Sequence, residues 1–151
     1  MPQRSRISDP FEHLTEDHRI LADLLAILAR VSRLGARNTQ EKDFAQFRDR
    51  LKLHADLEEA VVYPALERPV ETRDKALESY AEHHVIRLTL EEMSLLQPDS
   101  EEWLLKLALL TDNLLRHFEE EEQNLFPSAR NALGQNRVHV MRTSMEEYLG
   151  R

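Results

Sequence analysis

Apolar residues recur along this chain at alternating steps of three and four positions, which is the spacing of one face of an α-helix. Four segments carry this pattern over more than 20 residues each, and short stretches containing Gly, Pro or Asn separate them. A fifth, shorter segment of the same kind closes the chain. The predicted helices span about 10–32, 39 to 64–69, 72–96, 101 to 127–134, and 136–149.

The ends of the predicted helices carry capping and stop signals. Residues Asp9 to Glu12 form an N-cap, a proline at the first helical position and the glutamate of a capping box. Gly35 and Asn38 then interrupt the first helix, and Thr39 is a suitable N-cap for the second. The prolines after helices two and four are expected to end them, because proline disfavours helix at its own position and just before it.

Helix number and length together predict the fold class. Each long helix measures roughly 30 Å, and short connections make neighbours antiparallel, so we expect an all-α, up-down-up-down four-helix bundle. A chain of 151 residues is enough for one domain. We expect that domain to span 1–151, with the core bundle at about 10–133. The C-terminal helix could cover the bundle or mediate a homodimer.

Amino-acid composition narrows the chemistry that the chain can perform. It contains no cysteine and seven histidines, which excludes disulfides, zinc–thiolate sites, iron–sulfur clusters and a thiol nucleophile. Any bound metal must therefore be held by nitrogen and oxygen atoms of His, Asp and Glu.

Charge and hydropathy narrow the partners. Twenty Lys and Arg residues against 28 Asp and Glu residues give a formal net charge of −8. This argues against nucleic acid or an anionic membrane as the main partner, because both require a positive surface. Residues Met1 to Arg6 precede no apolar stretch of signal-peptide length, and no segment reaches the about 18 uncharged apolar residues of a membrane span. We expect a cytoplasmic protein whose partner is a small molecule or a metal.

Polar residues interrupt the apolar seams, by which we mean the core-facing positions of each helix. Every seam contains a histidine, and two also contain a glutamate. An ionised glutamate in a core costs several kcal/mol unless it is paired or bound to a cation, so Glu58 and Glu121 require an interior partner. The predicted seams are Phe11, Leu14, His18, Leu21, Leu25 and Leu28; Phe44, Phe47, Leu51, His54, Glu58 and Val61; Ala76, Tyr80, His83, Ile86, Leu90 and Met93; and Trp103, Leu107, Leu110, Leu114, His117, Glu121 and Leu125.

Spacing and repetition bring these polar residues to one place. His54 and Glu58, like His117 and Glu121, are four residues apart and therefore share a helix face. The eleven-residue segments that begin at these two histidines share the pattern H-x3-E-E-x3-aromatic-P. Two copies of one helical hairpin are therefore expected to enclose the site.

The predicted turns give a second estimate of position. Counting from the turn centres at 1.5 Å per residue places the four seam histidines at nearly the same height in the bundle. A single buried histidine is usually a hydrogen-bonded core residue, and a single H-x3-E pair is common on solvated faces. Four histidines in one layer together with two seam glutamates would instead leave a polar core that no cation compensates, so we predict a dimetal site. The predicted ligands are His18, His54, Glu58, His83, His117 and Glu121.

This pattern resembles the H…HxxxE…H…HxxxE motif of hemerythrin-like, HHE cation-binding domains, and the resemblance covers about residues 10–133. It implies a four-helix bundle that holds two Fe ions as an oxo- or hydroxo-bridged, non-haem diiron centre. The two glutamates would bridge or cap the irons, and an open position would accept O2 or another small ligand. Imidazole and carboxylate are suitable ligands for such iron.

Helix three departs from the oxygen-carrying hemerythrins, which have two metal-binding histidines four residues apart there. The positions four away from His83 are Ser79 and Arg87. One iron should therefore be more open, and reversible O2 transport is disfavoured. The departure gives more weight to redox, sensing or iron-handling roles.

Some residues near the seams allow more than one interpretation. His83 and His84 cannot both face the core, and the neighbours of His83 fit the seam better. Tyr80 could hydrogen-bond a bridging carboxylate, approach the open iron position, or only fill the core. Glu59 and Glu122 are expected on a solvated face; the alternative is that one of them contacts a metal-ligating residue. His13 and His139 are expected at the surface.

These features lead to three functional hypotheses. The first is a diiron protein that binds or senses O2, NO or peroxide, or responds to iron or redox state. The second is a diiron enzyme that acts on peroxide in a catalase-like or peroxidase-like way; the seams offer no dedicated acid, base or substrate clamp, so enzyme status stays open. The third is a regulatory bundle that the metal only stabilises.

Overall fold

The structure is a computed structural model that describes residues 6–150. Residues 1–5 and 151 lie outside this range, and so does nearly all of the Met1 to Arg6 segment considered above. Between residues 6 and 150 no helix has the length and hydropathy needed to cross a lipid bilayer. The regular elements of this range are all helical: α1 (Pro10–Arg33), α2 (Arg37–Leu57), π1 (Glu58–Val62), α3 (Tyr63–Glu67), α4 (Val70–Ser94), α5 (Glu101–Glu120), π2 (Glu121–Leu125) and α6 (Phe126–Leu149).

The prediction of a helical chain with four long helices is confirmed. The first is α1, the second runs through α2, π1 and α3, the third is α4, and the fourth runs from α5 through π2 into α6. Helix α1 packs against α2 and α5, and α4 packs against α3 and α5. The result is a helical bundle.

The first and fourth long helices begin at the predicted positions, and each has a side-chain cap. The side chain of Asp9 accepts hydrogen bonds from the backbone N–H groups of Phe11 and Glu12, both at 2.9 Å, and so satisfies two free donors of the first turn. At the start of α5, the hydroxyl oxygen of Ser100 accepts from the N–H of Trp103 at 3.2 Å. Both helix starts therefore follow from local side-chain chemistry.

The prediction that Thr39 caps the second helix is wrong. Helix α2 begins at Arg37, with Ala36 at the N-cap position. The chain reverses at Gly35, which has a φ of 70° that glycine adopts without strain. Helical hydrogen bonding can therefore start directly after the glycine, from the N–H of Gln40 to the carbonyl of Ala36 at 2.9 Å.

The second long helix ends at Glu67, inside the predicted 64–69 region, but the prolines at 64 and 127 do not themselves end their helices. Each follows a five-residue π-helix, closed by hydrogen bonds from Tyr63 N–H to Glu58 O and from Phe126 N–H to Glu121 O. Proline lacks an N–H and its ring collides with the carbonyl four residues earlier, so a wider turn accommodates it within a continuing helix. The extra residue in each wide turn also shifts the register of the side chains that follow.

A break in α6 sets off the C-terminal segment that was predicted to form a short helix. Helix α6 continues from π2 to Leu149, and Gly134 interrupts its backbone with a φ of 75° and a ψ of 169°. Beyond this break, Met141 and Met145 are buried in the cluster that includes Phe11. The N–H of Ile7 also donates to Glu146 at 3.0 Å. The segment therefore covers one end of the bundle, as one of the two sequence interpretations proposed.

Two apolar clusters fill the core, and a polar layer lies between them. On α1, Leu14 belongs to one cluster and Leu21 to the other, with His18 between them. The other three long helices have the same order, with one histidine at the boundary. The bundle thus encloses its polar layer between apolar side chains at both ends.

Candidate metal centre

The six predicted ligands converge in the polar layer, and each is at most 4% exposed. Their potential ligand atoms form two groups in which all atoms lie within 4.8 Å of one another. Glu58 belongs to both groups, so the two groups are adjacent and share this residue. One group is His18, His54, Glu58 and Glu121, and the other is Glu58, His83 and His117.

Glu58 spans the two groups through one oxygen atom. Its Oε1 lies 3.1 Å from Nε2 of His54 and 3.4 Å from Nε2 of His83. The turn of π1 starts at this glutamate, directly after α2, and so holds the carboxylate one turn from His54 on the same helix. A carboxylate in this position can bridge two cations.

Glu121 makes the equivalent connection from the opposite side. Its Oε1 lies 3.2 Å from Nε2 of His18 and 3.3 Å from Nε2 of His117. π2 starts at Glu121 just as π1 starts at Glu58. The internal duplication seen in the sequence therefore appears as two related halves of one site.

Buried polar atoms without a hydrogen-bond partner are concentrated in this layer. In the described part of the chain they are Nε2 of His18, Nε2 of His54, both carboxylate oxygens of Glu58, and Oε1 of Glu121. A buried acceptor without a partner typically costs about 1–3 kcal/mol, and a charged one costs more. Five such atoms facing one another are the arrangement that bound cations would satisfy, so the donor set fits a metal centre.

The outer nitrogen of each imidazole contacts a carboxylate on a neighbouring helix. These four residues, which we call the outer carboxylates, form a closed ring in which each long helix contacts the histidine of the next. A carboxylate only accepts, so a neutral imidazole held in this way carries its proton on Nδ1 and directs the Nε2 lone pair inward. The contacts to Nδ1 are Asp17 to His54 at 3.1 Å, Glu59 to His83 at 3.2 Å, Glu82 to His117 at 2.8 Å, and Glu122 to His18 at 3.3 Å.

The outer carboxylates show what the sequence interpretation missed. Glu59 and Glu122 were expected on a solvated face; their side chains are 24% and 36% exposed, and each also contacts the outer nitrogen of an imidazole, as the alternative interpretation proposed. Asp17 and Glu82 were not singled out, although each directly precedes a seam histidine in the duplicated hairpin. The available signal was an acidic residue beside a seam residue in all four helices.

Tyr63 is a further site residue that sequence reasoning missed. It is fully buried, and its hydroxyl donates to Oε2 of Glu121 at 2.7 Å. The hydroxyl oxygen of Tyr63 also lies 3.1 Å from Nε2 of His83 and 3.4 Å from Nε2 of His117. Tyr63 is the aromatic residue of the first H-x3-E-E-x3-aromatic-P copy, and Phe126 stands in the second. The difference between the two copies was the signal that could have identified it.

Of the alternatives considered for Tyr80, its position favours a packing role over contact with a bridging carboxylate. Tyr80 is half-buried, and its ring packs edge-on against Tyr63 with centroids 5.3 Å apart. Burial, followed by a hydrogen bond to Glu67, raises the pKa of Tyr80 to about 12. The ring of Tyr80 therefore supports that of Tyr63.

The two sides of the site have different surroundings. The ring of Phe118 stacks on His18 with centroids 4.0 Å apart and planes 11° apart, and Phe126 lies 6.0 Å from the same ring. The side formed by His83 and His117 has the hydroxyl of Tyr63 instead. One side is therefore apolar and the other contains a proton donor.

The carboxylates of the layer favour the protonated form of two imidazoles when no cation is bound. Burial alone would lower the pKa of His54, but the negative charge of Glu58, with Asp17, raises it to about 10. Burial would also lower the pKa of His117, but the negative charge of Glu121, with a hydrogen bond to Glu82, raises it to about 11. A cation and the imidazole protons therefore compete for the same inward positions.

The pKa values of the Glu58 carboxyl and the Tyr63 phenol shift in opposite directions. Burial would raise the pKa of Glu58, yet the positive charge of His54 holds it well below its usual value. Burial and the charges of Glu58 and Glu121 raise the pKa of Tyr63 well above its usual value. At neutral pH the layer therefore contains a carboxylate at Glu58 and a neutral phenol at Tyr63.

The remaining histidines lie outside the site. His84 is exposed, which leaves His83 as the histidine of α4 that faces the core. His139 is also exposed, as predicted. His13 is half-buried and its Nε2 lies 3.7 Å from Asp17.

Comparison with known proteins identifies similar chains. The family model described as hemerythrin HHE cation binding domain matches residues 9–129, which include all six predicted ligands. A protein named DNA nickase from Nostoc sp. (strain PCC 7120 / SAG 25.82 / UTEX 2576) is 28% identical over 103 residues, which is 68% of this chain and 29% of that protein. The chain therefore spans less than a third of the length of this relative. No solved structure matches the chain significantly.

Proposed function

The chain belongs to the hemerythrin HHE cation-binding domain family, and we propose that it holds two iron ions in the polar layer and binds or senses a small ligand there, such as O2, NO or peroxide. The observation that carries the proposal is the set of five buried polar atoms without partners, which belong to four of the six predicted ligands. Cations are the simplest way to compensate them.

Two cation positions follow from the two groups of ligand atoms. His18 and His54 would hold one ion, and His83 and His117 would hold the other. Glu58 and Glu121 would bridge them, because each glutamate contacts one histidine from each pair. Imidazole and carboxylate without thiolate suit non-haem iron. When bound, such iron supplies electrons and an open coordination position for a small ligand.

The surrounding residues have distinct tasks in this proposal. The outer carboxylates fix the tautomer and the orientation of each imidazole. Phe118 and Phe126 keep water from the side of His18. Tyr63 holds a proton at its hydroxyl oxygen next to His83 and His117, where a ligand at the more open ion would approach.

The position of Tyr63 also favours a second candidate, an enzyme that acts on peroxide. Cleavage of an O–O bond requires proton delivery, and a neutral phenol hydroxyl in contact with the ligand set is suitably placed to donate. Neither candidate depends on the name of the Nostoc protein, since the alignment covers 29% of it. The formal charge of −8 leads us to propose a small ligand and not nucleic acid as the partner.

We further propose that the four long helices run up-down-up-down. Two features support this topology: only residues 34–36 separate α1 from α2, and only residues 95–100 separate α4 from α5. Contacts between His18 and His54 and between His83 and His117 join consecutive long helices at one height, with ring centroids 5.0 and 4.9 Å apart.

Metal analysis with an optical spectrum of the air-exposed protein tests the main proposal. About two irons per chain with near-ultraviolet bands of a bridged diiron centre would support it. Stoichiometric zinc after iron-replete expression would contradict it. Bleaching on reduction and recovery with O2, without peroxide consumption, distinguishes a binder from an enzyme.

A further inference from the structure

A cavity of about 210 Å³ lies beside the polar layer, between α2, α4 and α5. Its walls are apolar side chains that are each at most 8% exposed. The imidazoles of His54, His83 and His117 line its inner part. The walls are formed mainly by Leu51, Ala55, Ile86, Leu90, Leu114 and Phe118.

The imidazoles give this cavity little polar character. Their Nδ1 atoms contact outer carboxylates, and their Nε2 atoms point to the bridging glutamates or to one another. The ring edges left over are carbon–hydrogen edges. A ligand in the inner part of the cavity would therefore meet mainly apolar contacts.

The cations at the rim of the cavity are already paired with carboxylates on the same surface. Glu91 adds a negative charge at the same rim. The rim therefore has no excess of positive charge with which to select an anion. The pairs are Arg48 with Asp49 at 3.6 Å, Lys52 with Asp56 at 2.5 Å, and Arg87 with Asp56 at 3.2 Å.

The volume of the cavity sets the size of its occupant. A diatomic ligand would leave most of this space empty, whereas an apolar cavity of about 150 Å³ suffices for benzene in a well-studied engineered protein. We propose that the cavity is a binding site for a neutral apolar organic molecule about the size of a substituted benzene or a short alkyl chain. The bound molecule lies against the imidazoles of His54, His83 and His117.

This inference goes beyond the proposed function and does not depend on metal. Apolar contact with the walls supplies the binding free energy, at roughly 25 cal/mol per Å² of apolar surface removed from water. The metal-free protein should therefore bind the probe as well as the metal-loaded protein does. Failure of one proposal leaves the other standing.

Benzene titration of the metal-free, methyl-labelled full chain tests the inference by NMR. We expect saturable shifts with one benzene per chain, and intermolecular NOEs to the methyl groups of Ile86, Leu90 and Leu114. Leu105, which is 66% exposed and lies outside the cavity, provides the internal reference and should show no NOE. Absence of NOEs to the three cavity residues at high benzene concentration would overturn the proposal.

Filling the cavity provides the matched variant. Ala55→Leu adds a side chain directly into the space and should weaken benzene binding by at least about tenfold, or 1.4 kcal/mol. Ala81→Leu makes the same change at an exposed position of α4 and should leave binding unchanged. Leu90→Phe fills the opposite wall and replaces Ala55→Leu if that variant does not fold. Undiminished affinity in a folded cavity-filling variant would contradict the assignment, and the wild-type NOEs decide the case if neither variant folds.

Discussion

The hydroxyl of Tyr63 donates a 2.7 Å hydrogen bond to Glu121 from the opposite copy of the duplicated hairpin. This contact joins the two halves of the molecule inside the polar layer. The equivalent residue of the second copy, Phe126, has no hydroxyl and stacks near His18. The Tyr63 hydroxyl is therefore one difference between the two sides of the site, and the ring of Phe118, at the position of Ala55 in the first copy, is another.

Replacing Tyr63 with phenylalanine should destabilise the metal-free protein. The change leaves Oε2 of Glu121 buried without its donor, so the free energy of unfolding should fall by about 1–3 kcal/mol, as measured by urea denaturation. Tyr80→Phe is the matched control and should change it by less than about 0.5 kcal/mol. Equal effects of the two variants would contradict the role assigned to Tyr63. In the iron-loaded protein, only Tyr63→Phe should alter the visible and resonance Raman spectra.

Removing an inner ligand should remove metal. His54→Ala and Glu121→Ala each delete one of the atoms that face the proposed ions, so elemental analysis should find less iron per chain in both variants. His84→Ala is the control, because this exposed histidine adjoins a predicted ligand without facing the site. Retention of both irons in both ligand variants would refute the ligand assignment.

The outer carboxylates should affect metal affinity without touching the metal. Glu82→Ala removes the acceptor that lies 2.8 Å from Nδ1 of His117, so the ring loses its fixed orientation and tautomer. Metal affinity, measured by competition with a chelator, should fall by roughly 10- to 100-fold. Glu78→Ala removes an exposed carboxylate one turn earlier on α4 and should leave affinity unchanged. A similar loss in both variants would point to a general charge effect instead.

Acid should remove the stabilising contribution of the carboxylate at the start of α1. A hydrogen bond from Arg130 at 2.6 Å holds the pKa of Asp9 below its usual value of 3.8. Partial burial opposes this shift, and hydrogen bonds from the backbone N–H groups of Phe11 and Glu12 add to it. Because the folded-state pKa is the lower one, this contribution is present above about pH 4 and is lost as the pH falls through the folded-state pKa. Asp9→Asn keeps the N-cap acceptor but cannot ionise.

Urea denaturation of the metal-free protein at several pH values checks this linkage. The difference in unfolding free energy between the wild type and Asp9→Asn should be largest near neutral pH and should vanish in strong acid. Asp23→Asn, at a carboxylate that is 70% exposed, is the control and should show a smaller pH-dependent difference. A difference for Asp9→Asn that is constant with pH would contradict the ion pair.

The inner residues of the site could be predicted because they break a strong pattern. A helix seam should be apolar, so Glu58 and Glu121 stand out at any seam position, and the fixed rise of a helix converts residue numbers into heights. These two rules bring His18 and His54 to one layer without any knowledge of side-chain conformation. The contact between their rings, with centroids 5.0 Å apart, agrees with the heights expected from residue numbers.

The wide turns explain most of what could not be predicted. Regular helical periodicity places Val61 in the seam, but the extra residue in π1 moves Val62 into the core and leaves Val61 only half-buried. The same shift brings Tyr63 into the polar layer, where periodicity had suggested Tyr80. A π-helix has no strong sequence signature apart from the proline that follows it, so the register beyond it must be observed.

The outer carboxylates escaped prediction for a different reason. Asp17 and Glu82 lie beside seam positions, where acidic residues are usually solvated, and composition alone does not separate the two cases. Which histidine each one reaches depends on how the neighbouring helix is rotated. That rotation is a property of the packed bundle and not of any single helix.

The closed ring of outer carboxylates also bears on how the protein opens. Each long helix contributes a carboxylate to one neighbour and receives one from the other, so no helix can leave the bundle without breaking two of these contacts. Local fraying should therefore stop at the height of the ring, and amide hydrogens there should exchange only through cooperative opening of the whole bundle. A bound ion would then be released at the pace of that global event and not at the faster pace of a single helix end.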